Sequence, residues 1–177
     1  PVPPGFTITT EVCDLYYKLG RAYPEGLQEQ IDANIKKLEE MTGKPIDNKK
    51  FEEYLEQGNK VNEGLRKIDS LRKKDNPPIG LSEFIRLNHY SFTVEPTIMA
   101  EKLNELYEVL KDAPGKFPEN APRILFAGHA LAIGDYMVPK LVEESGAVIV
   151  TDFLDEGIRT YKDDIKLGGD PLEAFAR

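Results

Sequence analysis

One thiol and two imidazoles are the side chains of this sequence best suited to ligation or proton transfer: Cys13, His89 and His129. Cys13 lies in Thr10-Glu11-Val12-Cys13-Asp14, after a run that reads as a strand (Gly5-Phe6-Thr7-Ile8-Thr9-Thr10) and before a helical stretch with Leu15, Tyr16 and Leu19. A thiolate at a helix N-terminus is stabilised by backbone N–H groups, which suits a metal ligand or a reactive thiol; the other reading is a small buried hydrophobe. His129 lies in Gly128-His129-Ala130-Leu131-Ala132-Ile133-Gly134-Asp135. Gly128 and Gly134 let the backbone approach a ligand, and an anionic group is favoured at the helix start beyond them. His129 is then a proton carrier, a ligand or a donor to a thioester carbonyl, against a structural histidine with simple turn glycines around it. The glycine spacing fits neither the dinucleotide fingerprint nor the P-loop, so a nicotinamide or ATP site has no support. His89, between Asn88 and Tyr90, reads as packing. Asp152, Asp155 and Glu156 gather carboxylates that suit Mg2+ or stand solvated at a loop. No serine lies in the elbow motif of a hydrolase.

The elements that must place these groups follow from the apolar periodicity. Ile31, Ile35, Leu38 and Met41 form the stripe of a helix that Thr42-Gly43-Lys44-Pro45 stops. Asp47 is placed to cap a second helix through Phe51, Leu55, Leu65, Ile68 and Leu71, with Gly58 and Gly64 as thin spots, and Asn76-Pro77-Pro78 closes it. The short connection predicts that the two helices form an antiparallel hairpin. A short helix over Leu81 to His89 and a better one from Glu95-Pro96, with Met99, Leu103, Leu106 and Leu110 inward, come next. Past Pro122 the pattern changes: Arg123-Ile124-Leu125-Phe126-Ala127 and Ala147-Val148-Ile149-Val150-Thr151 are short apolar runs flanking a helix with Met137, Leu141 and Val142. Two buried strands around one helix make a parallel β-α-β unit, and ligands of such sheets sit beyond the carboxyl ends of the strands. That rim carries 128–135 and 152–157.

The expectation is therefore an α/β protein: the end of a preceding α/β domain over 1–24, a helical connecting region over 25–120, and a parallel, flavodoxin-like half domain over 121–177. The Pro-rich start without Met, and a helix opening at Asp170-Pro171 that stops at Arg177, read as the ends of a fragment of a multi-domain protein. With 23 Lys and Arg against 31 Asp and Glu the net charge is −8, which argues against a nucleic-acid partner. No apolar run is long enough to span a membrane and no signal peptide is evident, so a cytoplasmic location is expected. The single cysteine excludes an internal disulfide, and any metal cluster held here must borrow ligands.

Together these segments resemble the 2-hydroxyacyl-CoA dehydratase and benzoyl-CoA reductase family, of the D-component or B-subunit type. The resemblance is carried by Cys13-Asp14, by Leu38-Glu39-Glu40-Met41-Thr42-Gly43-Lys44-Pro45-Ile46-Asp47 and by Asn76-Pro77-Pro78-Ile79-Gly80. It continues from Arg123 to Gly128, through Gly134-Asp135, to Glu143-Glu144-Ser145-Gly146-Ala147-Val148-Ile149-Val150, and closes with Gly157-Ile158-Arg159 and Asp170 to Arg177. It implies a two-subunit, oxygen-sensitive enzyme of flavodoxin-like domains with a [4Fe-4S] cluster between them. A separate ATP-dependent activator delivers the electron that turns an acyl-CoA substrate into a ketyl radical; reductase relatives act on the acyl-CoA ring.

The resemblance places Cys13 at the family's Cys-Asp metal-ligand position, and puts Leu154 in the stretch where a further family cysteine falls. The implied ligand set is incomplete in this chain. The alternatives are a cluster-less scaffold or regulatory subunit of the same family, or a CoA-binding α/β module using Gly128, His129 and Gly134.

Overall fold

Two left-handed glycines bracket the first long helix, and they set its length more sharply than its apolar stripe does. The computed structural model describes residues 10–176, and the chain divides into two compact units, Pro1–Asp47 and Asn48–Arg177. In the first unit α1 spans Thr10–Lys18 and α2 spans Leu27–Thr42, between Gly26 at φ 78° and Gly43 at φ 67°. Side chains rarely adopt such φ values, so both ends of α2 need glycine. Glu39 accepts the Ile46 N–H at 2.7 Å, tying the following turn back onto the helix. No residue of α2 is buried, and Leu38 and Met41 of its stripe are exposed. The strand expected over 5–10 lies, but for Thr10, outside the described residues; Thr10 itself opens α1. α2 belongs to the first unit, and the helix expected to pair with it opens the second.

The second unit is built on α3, Asn48–Arg72, which buries Leu55, Val61, Leu65, Ile68 and Leu71. Each such side chain contributes about 1.5–3 kcal/mol by leaving water. α4 (Leu81–Ser91) and α5 (Pro96–Leu110) pack on it. Gly64 is where α5 comes closest: a Cβ there would stand 2.8 Å from the Leu103 Cβ, so this glycine is a packing requirement and not a weak point of the helix. Glu95 caps α5 by accepting the Ile98 N–H at 3.1 Å, a bond that holds its carboxyl below the usual range. The start of α4 is capped across the fold. Glu143 accepts the Leu81 N–H at 2.6 Å and the Ser82 hydroxyl, from the helix α6, Met137–Glu144.

The strands β1 (Arg123–Ala127) and β2 (Val148–Phe153) pair in parallel on either side of α6 in sequence. The register runs Arg123 to Val148 and Ile124 to Ile149, then slips by one so that Leu125 faces Thr151 and Ala127 faces Phe153. The expectation of two fully buried strands holds only for the start of β2. In β1 the residues alternate, with Leu125 61% exposed while Ile124 and Phe126 lean on the core. Alternation of this kind is the mark of a sheet with one face covered. Short helices α7 (Ile158–Tyr161) and α8 (Pro171–Ala176) complete the unit, the latter with Asp170 accepting the Leu172 N–H at 2.8 Å. One continuous core joins α3, α4 and α5 to Ile149, Leu154 and Tyr161, so helices and sheet of this unit stand together.

Candidate functional site

Parallel pairing puts the carboxyl ends of β1 and β2 side by side, and the two connections that leave them, 128–136 and 154–157, form one rim. The C-terminal half of α4 lies under this rim and supplies Asn88 and His89, both buried. Their side chains reach across. His89 Nδ1 is 3.0 Å from the Tyr136 hydroxyl, at the end of the first connection, and Nε2 is 3.8 Å from Glu156 Oε1, in the second. Asn88 donates to the Glu156 carbonyl and shares a 3.3 Å contact with the Thr160 hydroxyl. Glu156 in turn accepts the backbone N–H of Leu131. The loop 128–136 is thus held at its middle by Glu156 and at its end by His89.

A second cluster is buried on α3 and β2. Arg72 Nη1 is 2.9 Å from both Asp69 Oδ1 and Asp152 Oδ2, its guanidinium lies 4.8 Å from the Phe84 ring centre, and its side chain is wholly buried. Asp152 spends its other oxygen on the Ile158 N–H at 3.1 Å, at the start of α7. Burial, with the Asp69 and Asp152 carboxylates nearby, pushes the Tyr161 hydroxyl well above its usual pKa, so it stays protonated. This group ties α3 to β2 and α7, and at its edge the second Asp69 oxygen takes the half-exposed Lys73 ammonium at 2.7 Å.

The acids grouped as a Mg2+ candidate are therefore dispersed. Asp152 belongs to the buried ion pairs, Asp155 pairs with Arg159 at 2.5 Å, and Glu156 holds the loop. Among the described residues no group of three His, Cys, Asp or Glu is arranged to hold a metal ion. Gly128 and Gly134 lie on the rim, and Gly134 at φ 97° has the backbone only glycine adopts readily. Gly128 has no such need: a Cβ there would meet Leu154 at an ordinary 3.7 Å. His129 is 90% exposed in its side chain; its Nδ1 accepts its neighbour's N–H, from Ala130 at 2.8 Å, and lies 3.5 Å from Asp155. Cys13 lies in α1 of the N-terminal unit and is exposed. Leu154 is 1% exposed and belongs to the core.

His89 was the histidine least expected to matter, and it is the one the fold brings to the rim. A polar triplet Asn88-His89-Tyr90 inside an apolar stripe was the only local signal, because the partners Tyr136 and Glu156 are far away in sequence. Sequence spacing finds pairs on one helix; it does not find pairs made where two connections at a strand end meet a helix.

Comparison with known proteins gives two results of different reach. The profile of the family described as 2-hydroxyglutaryl-CoA dehydratase, D-component, matches residues 10–177. A shorter likeness links the chain to the pyruvate, phosphate dikinase of Rhizobium meliloti (strain 1021), 50% identical over 44 residues, which is 25% of this chain and 5% of that protein. The pyruvate, phosphate dikinases of Rickettsia prowazekii (strain Madrid E) and of Clostridium symbiosum are each 48% identical over 44 residues, with the same 25% and 5% coverage.

Proposed function

The chain belongs to the 2-hydroxyglutaryl-CoA dehydratase D-component family, and from that membership we propose that its C-terminal unit is the part of a 2-hydroxyacyl-CoA dehydratase that meets the thioester substrate. The observation that carries this reading is the rim itself: a connection with glycines at both ends, at the carboxyl edge of a parallel strand pair, lying over the His89, Tyr136 and Glu156 side chains. In this reading Gly128 and Gly134 give the loop backbone access to the ligand, and exposed His129 donates to the thioester carbonyl. The reaction is loss of water from a 2-hydroxyacyl-CoA to give the enoyl-CoA. It runs in an assembly with a related second subunit and an ATP-dependent activator, and the strand pair is the beginning of a flavodoxin-like sheet. Reduction of an acyl-CoA ring is the alternative chemistry of the same architecture.

A [4Fe-4S] cluster would supply one-electron chemistry to such an enzyme, but the residues present do not fit one. Four cysteines hold such a cluster as a rule, and this chain has one. That thiol is exposed on α1, and Leu154 is buried in the core instead of offering a ligand. The part played by these residues is binding and proton handling, with one-electron chemistry supplied from elsewhere. A test is calorimetry of the full chain with 2-hydroxyglutaryl-CoA, before and after Gly134→Val, which forces a β-branched residue to φ 97°. A saturable heat that weakens at least severalfold in the variant is expected; no heat with the parent chain refutes the reading.

A second reading concerns the N-terminal unit alone. The dikinase likeness is 44 residues long and that unit comprises Pro1–Asp47, so we propose that the two coincide. Cys13 is then a surface thiol of a segment shared with phosphotransfer enzymes, and not a metal ligand. Anaerobic iron analysis of the chain and of Cys13→Ser checks this: equal, negligible iron is expected, and iron that disappears with the thiol would contradict it.

A further inference from the structure

Among the described residues four buried side-chain polar atoms have no hydrogen-bond partner, and they fall into two places. Arg72 Nε and Tyr161 Oη belong to the enclosed ion-pair group. The other two, His89 Nε2 and Glu156 Oε2, belong to the rim. A buried polar atom left unpaired is costly, and a neighbouring donor and acceptor left so together call for a third group.

The chemistry of that group follows from the two atoms. We assign His89 the tautomer that turns an N–H towards the Glu156 carboxylate: Nδ1 then accepts from the Tyr136 hydroxyl at 3.0 Å, and Nε2 is a free donor. Glu156 takes the Leu131 N–H and keeps Oε2 as a free acceptor. The 3.8 Å from Nε2 to Oε1 is too long for the two side chains to satisfy each other. A carbonyl would serve only the histidine, an ammonium only the carboxylate, and a carboxylate or phosphate would be repelled by Glu156. A hydroxyl accepts and donates through one oxygen and serves both. The contacts that hold the loop 128–136, from Leu131 and Tyr136, are made to these same two side chains.

We propose that His89 and Glu156 are specificity residues that recognise the hydroxyl of an alcohol-bearing ligand, His89 Nε2–H donating to its oxygen and Glu156 Oε2 accepting its proton. The inference rests on the thioester reading above, under which the hydroxyl is the 2-hydroxy group of the acyl chain. The test is calorimetry of the full chain with 2-hydroxyglutaryl-CoA and with glutaryl-CoA, which lacks only that hydroxyl. The parent chain should bind the hydroxy compound about ten- to a hundredfold more tightly. In Glu156→Gln and in His89→Phe, each checked for native circular dichroism, the ratio should fall towards one. A purely structural role would weaken both ligands alike and leave the ratio where it was. Equal affinities in the parent, or a ratio untouched by both variants, would overturn the inference and assign the pair to a buried water, while leaving thioester binding intact. Heat from neither compound would overturn the thioester reading, and this inference with it.

Discussion

Tyr161 shows how a buried group can grow more costly as pH rises. Its hydroxyl is held protonated by burial and by the Asp69 and Asp152 carboxylates, so its folded pKa lies above the ordinary value of 10.0. The folded state then binds more protons than the unfolded one as pH rises past that value, and stability falls in that range and not below it. Tyr161→Phe should not lower stability near neutrality, since the hydroxyl it removes is buried without a partner, and should flatten the decline above about pH 10, followed by urea unfolding at a series of pH values. Arg72 is the opposite case. Removing it leaves Asp69 and Asp152 buried without their shared cation, and Arg72→Ala should cost about 3–5 kcal/mol in the same urea experiment. Neither effect was legible from the sequence, where Arg72 reads as the polar end of a helix and Tyr161 has no periodic context. Their partner Asp152 is 80 residues from Arg72.

The elements were read more successfully than their contacts. Gly43 stopping α2, Pro96 opening α5 and Asp170-Pro171 opening α8 are local signals, carried by φ restrictions and a missing N–H, and the helices begin and end where those signals stand. The two apolar runs became parallel strands for a similarly local reason, short β-rich segments bounded by glycine. Gly64 was misread because its role is set by α5, some forty residues on. Gly64→Val should separate α3 from α5 at Leu103 and cost about 1–3 kcal/mol, measured as a loss in denaturation midpoint without change of slope. The same substitution at Gly58, where a Cβ meets nothing within 4 Å, should cost nothing and raise stability slightly, because valine is a better helix former than glycine. The exposed face of β1 was also beyond the sequence. An apolar run such as Ile124-Leu125-Phe126 looks alike whether one face or both are covered.

At the scale of the molecule, two compact units carry different messages. The N-terminal unit has an amphipathic helix with nothing buried on its stripe and the chain's only thiol at its surface. The C-terminal unit has a shared core, an internal ion-pair group, and one rim where two connections meet over the end of α4. Net charge and the absence, among the described residues, of any helix long and apolar enough to cross a membrane narrow the partners without naming them. The proposed thioester ligand rests on family membership together with the strand-end rim, and so on the loop 128–136. Amide hydrogen exchange of the full chain, with and without 2-hydroxyglutaryl-CoA, tests it most directly. The prediction is slowed exchange confined to 128–136 and 154–157 when the thioester is added. Unchanged exchange there, or protection appearing only in residues 1–47, would contradict it.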